Sequence, residues 1–504
     1  MSEELESRKE NLKNKLLNFF SEYHNIILVL ILIFAFIIRI YFFFQTINQP
    51  LWWDESQYVE QARRLGLNLE TNDIWYYRRT MFLPLFWSLF FKLGFGETTL
   101  RLTEVFFSVL IVLATYLISK EMFNKKTALI AAFGVSISRI ILFETTRLLT
   151  SVPETALMLL AVYYFYKGYI KENKTKYIYL FGLFTGLAMS VRFASFLSII
   201  SFGLIFLIKE KGKIWKNKQM LGAFLLIFLI LSPFFYQYYK HYPEGISDFL
   251  RHYGEVGVPK EQKQPYLGVK GIYDYFSTIP ANTGIIFFIA LIIGIIFLLD
   301  FIIAPDLLFK DNKIQRNLFL FLFILPPFIY HSLKSLYVEE RYLLGILPVI
   351  FIISAYGLIK FYEYVKNYNK YVVSGILIIL LLVSSFYVIK SANEIILAKK
   401  DSYSQVKEAS LWIKENSNPN DKIISNSIPQ MQYYTDRSVY YIEEKEEVIK
   451  LKPKYYIVSI YEQSAPSYYE LPEKNKDKFK AVQVYFLDQE KSKPSLVIYE
   501  YINK

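Results

Sequence analysis

The chain has 504 residues, of which 54% are hydrophobic and 18% aromatic, and its mean hydropathy is +0.26. Together these values exclude an ordinary soluble domain and point to a protein that crosses a membrane several times. The net charge of +12 is carried by lysines between apolar runs, with no basic stripe on a soluble module, which excludes a nucleic-acid-binding domain. With no cysteine, disulfides, thiolate metal sites and cysteine nucleophiles are excluded as well.

Residues 1–25 are polar, with Arg8, Lys9, Lys13 and Lys15 ahead of the first apolar run, Ile26 to Phe44. That run is long enough to span a bilayer, and the basic flank places the N-terminus in the cytoplasm. The start is polar where a cleavable signal peptide would be apolar. Just beyond the first span stands Pro50-Leu51-Trp52-Trp53-Asp54-Glu55-Ser56-Gln57-Tyr58. The indoles suit the headgroup level, which holds two adjacent carboxylates at the membrane surface. Met81 to Phe91 is aromatic and shorter than the ~20 residues of a crossing, so it reads as a helix lying in the interface. The alternative is a short second span, which would invert everything after it.

Further spans follow at Leu100 to Ile118, Ala128 to Phe143 and Pro153 to Tyr166, then a pair pivoting near Arg192, then Met220 to Tyr239. Gly284 to Ile303, Leu318 to Ser332, a span ending before Lys360, and Tyr371 to Ile389 complete a membrane domain over 26–390. The total is about 11 transmembrane helices. In this order every short lysine-rich loop, such as Lys209 to Lys218, falls on the cytoplasmic side. The polar stretch from Lys240 to Pro280, with Pro243, Pro259 and Pro265, reads as a long ordered outer loop. From 391 to 504 the pattern changes to a small extracytoplasmic α/β domain. Its helix is expected over Ser402 to Asn416, with Val406, Ala409, Leu411, Trp412 and Ile413 facing inward. Strands are expected at 422–425, 454–460, 481–486 and 496–499.

Ionisable groups at the outer ends of spans are the functional candidates, since charge at membrane depth is costly and tends to be kept for function. These are Asp54, Glu55, Arg78, Arg79, Lys92, Glu144, Arg147, Glu154, Arg192 and Arg341. Carboxylates among arginines suit chemistry on a lipid-borne phosphate, the acid acting as base and guanidiniums gripping the phosphate. For a single arginine, snorkelling to the interface is the competing role. Glu154, next to Pro153 at the start of a span, equally suits a helix N-terminus. Four histidines, His24, His241, His252 and His331, lack metal-ligand spacing.

Four stretches carry a resemblance: Asp54 to Ala62, Leu83-Pro84-Leu85 through Leu100-Arg101-Leu102, Arg147-Leu148-Leu149 leading to Glu154, and Glu340-Arg341-Tyr342-Leu343-Leu344 with Pro348. In order and sidedness the chain resembles the polyprenyl-phosphate-sugar-dependent glycosyltransferases of the GT-C fold. The likeness is to the branch of dolichyl-phosphate-mannose protein mannosyltransferases and the lipid A aminoarabinose transferase. The resemblance implies a mainly α polytopic membrane enzyme in which Asp54 is the catalytic base and Glu154 the second outer-loop acid. Relatives usually have aspartate at the second position. Glu55, Arg79, Arg147, Arg341 and Tyr342 are the expected substrate-binding residues. The implied partners are a polyprenyl-phosphate-linked sugar donor, a protein, glycan or lipid acceptor, and membrane lipids. No cofactor is called for, and a divalent metal is left open. The Trp52-Trp53-Asp54 triplet also matches an oligosaccharyltransferase signature, but one belonging to a C-terminal domain, so it is set aside. The competing function is a transporter or lipid flippase, which predicts charges along a mid-membrane path.

Overall fold

The computed structural model describes residues 20–69, 79–242, 266–303, 305–488 and 490–502. Arg8, Lys9, Lys13, Lys15, Arg78, His252 and the three loop prolines Pro243, Pro259 and Pro265 lie outside these.

Among the described residues, helical segments stand at all eleven expected span positions. They are Tyr23–Thr46, Glu97–Met122, the pair Lys125–Ile137 and Arg139–Thr145, Ser151–Phe165, Thr175–Val191, Phe196–Lys209 and Lys218–His241, then Ile285–Leu298, Asn312–Lys334, Leu347–Val365 and Lys370–Lys399. Seven are long and apolar enough to cross a membrane unaided, eight if the pair counts as one span. That pair bends by 56° at Ser138, whose extended backbone interrupts the helix. The other three, Ser151–Phe165, Thr175–Val191 and Phe196–Lys209, have 15, 17 and 14 residues, and the first continues through a π-turn at Tyr166–Lys171.

The helix ends sort into two sets. At one end Lys125 pairs with Glu22, Lys171 with Glu121 at 2.6 Å, and Arg316 donates to the Met122 carbonyl at 2.6 Å. Tyr169 there donates to Glu210 at 2.9 Å. The lysine-rich loops thus share one end of the bundle, which is the arrangement that hydropathy and charge predict. The opposite end gathers residues 49–55, 79, 97–101, 146–151, 192 and 339–342 and holds the candidate site.

Helix Phe82–Lys92, 11 residues long, reaches about 16 Å at 1.5 Å per residue, half of a hydrocarbon core. The segments flanking it both contact the site end, so it does not cross. It packs on helix Trp53–Leu67 at Gly66, where an added Cβ would stand 2.7 Å from the Ser88 carbonyl and 2.8 Å from Phe91 Cβ. Trp87, fully buried, donates its indole N–H to Thr103 at 3.0 Å and ties this pair to helix Glu97–Met122.

Residues 269–283, expected within an outer loop, form helix Val269–Thr283. Gly271, Tyr275 and Ile279 bury one face at helical spacing. Gly271 sits where a Cβ would come within 2.0 Å of the Ser332 carbonyl, so this helix lies directly on Asn312–Lys334.

After Lys399 comes an α/β domain. Its sheet has the order β2-β1-β3-β5-β4, with β1 Lys422–Ser425, β2 Ser438–Tyr440, β3 Tyr455–Ser459, β4 Phe479–Phe486 and β5 Pro494–Tyr501. β1, β2 and β3 are parallel, while β5 runs antiparallel to both β3 and β4. Helix Ser404–Glu415 buries Val406, Ala409 and Ile413 on the sheet, whereas Leu411, expected inside, is 43% exposed because it lies on the opposite face of the helix. Helix Ile428–Thr435 docks the domain on the site end. Tyr434 Oη accepts from the Leu51 backbone N–H at 3.0 Å, Arg63 pairs with Asp436 at 2.9 Å, and Lys407 donates to the Asn48 carbonyl at 3.1 Å.

Candidate active site

Trp52 is the N-cap of helix Trp53–Leu67, so Asp54 and Glu55 fall in its first turn, where the helix dipole favours negative charge. One residue apart, they point about 100° from each other around the helix. Glu55 faces inward and is fully buried. One carboxylate oxygen accepts the Trp52 backbone N–H at 2.7 Å and pairs with Arg147; the other accepts the Leu148 N–H at 2.6 Å. Arg147, 1% exposed, lies 3.7 Å over the Trp52 ring and donates to Gln49 at 3.1 Å. Below it, Arg101 donates to the carbonyls of Thr146 at 3.0 Å and Gln49 at 2.9 Å. This is a buried floor that fixes the 146–150 turn under the first-loop helix. Glu55 and Arg147, expected to contact substrate, are 0% and 1% exposed and pair with each other. Glu55, at the third helical position, also closes the helix N-terminus by holding the Trp52 N–H.

Asp54 faces the other way, and its side chain is 33% exposed. Arg79 donates to one carboxylate oxygen at 2.9 Å, and Arg341 to the other at 3.4 Å. Burial alone would raise the Asp54 pKa, but the two guanidiniums outweigh it and hold the carboxyl below its ordinary range. Arg79 also donates to Gln57 and, at 3.4 Å, to the Tyr58 hydroxyl. Gln57 and Tyr58 stand three and four residues after Asp54, on the same helix face. The segment carrying Arg79 is anchored by Thr80, which donates to the Val191 carbonyl at 2.6 Å. Arg341 pairs in addition with Glu339. Burial would lower the Arg341 pKa; Asp54 and Glu339 instead raise it well above the usual value.

Tyr342 continues this wall. The Arg192 guanidinium lies 5.2 Å from its ring centroid, and the His331 ring stacks on it at 4.5 Å. Arg192 donates to Ser151 at 3.3 Å, one turn before Glu154, and Ser195 donates to Glu154 at 2.5 Å. Asp54, Arg79, Arg341 and Tyr342 are therefore brought together in one partly exposed cluster. Glu154 is reached only through Arg192 and Ser195 and is 9% exposed. Glu340 turns away and pairs with Arg139 and Asn282, bracing the turn that presents Arg341. Gln57, Tyr58 and Glu339 escaped the sequence reading. The spacing of the first two from Asp54 was the available signal, and Glu339 had none beyond its place two residues before Arg341. Glu104 and one oxygen of Glu144 are buried without a hydrogen-bond partner among the described residues. Also among the described residues, no three acidic or histidine side chains group to hold a metal ion.

Residues 78–236 match the model of the family described as dolichyl-phosphate-mannose-protein mannosyltransferase. No curated protein matches the chain. Among solved structures the chain is similar to ArnT from Cupriavidus metallidurans bound to undecaprenyl phosphate, at 11% identity and a TM-score of 0.63, over 93% of this chain and 97% of that one. It is similar to the Archaeoglobus fulgidus oligosaccharyltransferase tethered to an acceptor peptide, at 14% identity and a TM-score of 0.64, over 97% of this chain and 75% of that one. The Archaeoglobus fulgidus oligosaccharyltransferase AglB in complex with an inhibitory peptide and a dolichol-phosphate gives 14% identity and a TM-score of 0.62, over 96% and 75%. The chain thus has the GT-C fold of these structures, and within it residues 78–236 match the mannosyltransferase family model.

Proposed function

We propose that the chain transfers a monosaccharide, mannose or another hexose, from a polyprenyl-phosphate donor to an acceptor hydroxyl at the outer membrane face, with inversion. The observation that carries this reading is the Asp54 carboxylate, partly exposed and flanked by Arg79 and Arg341. A carboxylate there takes the acceptor proton, and the acceptor oxygen attacks the anomeric carbon. The bond from that carbon to the phosphate oxygen breaks on the opposite face. The departing phosphate gains charge, and preorganised guanidiniums stabilise that charge without needing a strong acid. Arg192 and Tyr342 extend the binding wall, and Glu154 acts as a second acid through Ser195 and Arg192. The donor class is supported by the undecaprenyl phosphate in ArnT and the dolichol-phosphate in AglB, and a protein acceptor by the peptides bound to the Archaeoglobus enzyme. Glycan and lipid acceptors fit the same chemistry. Incubation of the purified protein with a panel of polyprenyl-phosphate sugars tests the reading. Release of polyprenyl phosphate with at least one hexose donor is expected, and inertness towards all of them, with candidate acceptors present, contradicts it.

A further inference from the structure

The geometry around Asp54 conflicts with its task as base while the pairs are closed. Inverting displacement places the base and the leaving group on opposite faces of the sugar. In inverting glycoside hydrolases the two carboxyls flanking the reacting centre stand about 6.5–9.5 Å apart to admit a nucleophile between them. Here the carboxylate touches, at 2.9 and 3.4 Å, the same two guanidiniums assigned to the phosphate. No sugar ring fits between groups in direct contact.

We propose that Asp54 is a displaceable clamp on the phosphate site: it occupies Arg79 and Arg341 until a lipid-borne phosphate takes their N–H donors, and only then turns to the acceptor. This rests on the reading of Asp54 as base and of the two arginines as phosphate ligands. The exchange is balanced in hydrogen bonds, since phosphate oxygens replace carboxylate oxygens on the same donors. Neither arginine is left without support when Asp54 leaves. Arg341 keeps Glu339, and Arg79 keeps Gln57 and the Tyr58 hydroxyl. Their directions are therefore held while the carboxylate is released. Freed from two cations, the carboxylate also becomes a stronger base at the moment a sugar is in place. Donor then binds before acceptor.

The test is binding of undecaprenyl phosphate, with neither sugar nor acceptor present, to the full-length protein in nanodiscs. If Asp54 competes for the guanidiniums, Asp54→Asn binds the lipid phosphate about tenfold tighter, the order that one charge-assisted hydrogen bond carries. In an Arg341→Gln background the gain shrinks by several fold, because half of the contest is gone. Unchanged or weaker binding by Asp54→Asn overturns the clamp and makes Asp54 an organiser of the arginines. A full tenfold gain that persists in Arg341→Gln also overturns it, leaving only through-space repulsion. Asp54→Ser, read in the same way, must give the same sign should the asparagine variant fold poorly. Since no turnover is read, a failed clamp leaves the transferase reading standing. Inertness towards every donor sinks that reading while leaving the binding result intact.

Discussion

Asp54 and Glu55 differ by one methylene and one position, and their surroundings divide the work between them. Asp54→Asn keeps the size and the polar contacts to Arg79 and Arg341 but cannot take a proton. Turnover at saturating donor should fall about 10²–10⁴-fold with little change in melting temperature. Glu55→Gln removes one partner of a buried pair and leaves Arg147 charged in a closed floor. The expected result is a stability loss of about 3–5 kcal/mol, read as a lower melting temperature in detergent. Turnover per folded molecule should be largely kept in that variant. The arginines also fix a pH dependence. Because they hold Asp54 below the ordinary carboxylate range, the base is ionised in the free enzyme at every pH above about 4. The acidic limb of kcat/KM for the donor, which reports the free enzyme, should lie below about pH 4. A limb at higher pH would assign the base to another group. Asp54 stood out as a candidate in the sequence because the motif around it is contiguous. The Glu55–Arg147 pair was not, since it joins residues 92 apart and no local pattern records such a contact.

Helix Trp53–Leu67 carries the site and is positioned by helix Phe82–Lys92, so the contact at Gly66 is the point where packing reaches function. Gly66→Ala puts a methyl 2.7 Å from a backbone carbonyl, which no side-chain rotation relieves. The helices must part, at a cost of about 1–3 kcal/mol. A lower melting temperature together with reduced turnover is expected, and wild-type values for both would remove this contact from the support of the site. At this scale the long apolar runs were legible to within a few residues, as was the interfacial helix from its length. Helix Val269–Thr283 was missed because its apolar face is narrow and broken by Lys270, Asp274 and Thr278. β2 was missed because three residues show no period. Leu411 was placed inward because composition was read without the rotation that puts it opposite the buried row of Val406, Ala409 and Ile413.

In the whole molecule, one end of the bundle is lysine-rich and the other carries both the candidate site and the docked α/β domain. From the positive-inside rule we expect the site end to face outside the cell. A reporter fused after Lys504 should be active only outside, and one in the Lys209–Lys218 loop only inside; both on one side would invert the assignment. The α/β domain holds helix Trp53–Leu67 and the residues leading into it, through Asp436 on Arg63 and Tyr434 on Leu51. Through these contacts it steadies the helix that carries Asp54 while leaving the carboxylate itself to the site. Sugar transfer from a lipid phosphate by way of Asp54 is the reaction we propose for this site. Its most direct measurement is release of polyprenyl phosphate from a polyprenyl-phosphate hexose by wild type and by Asp54→Asn, side by side, at saturating donor. The account predicts steady release by wild type and almost none by a folded Asp54→Asn. Equal release by the two would contradict it.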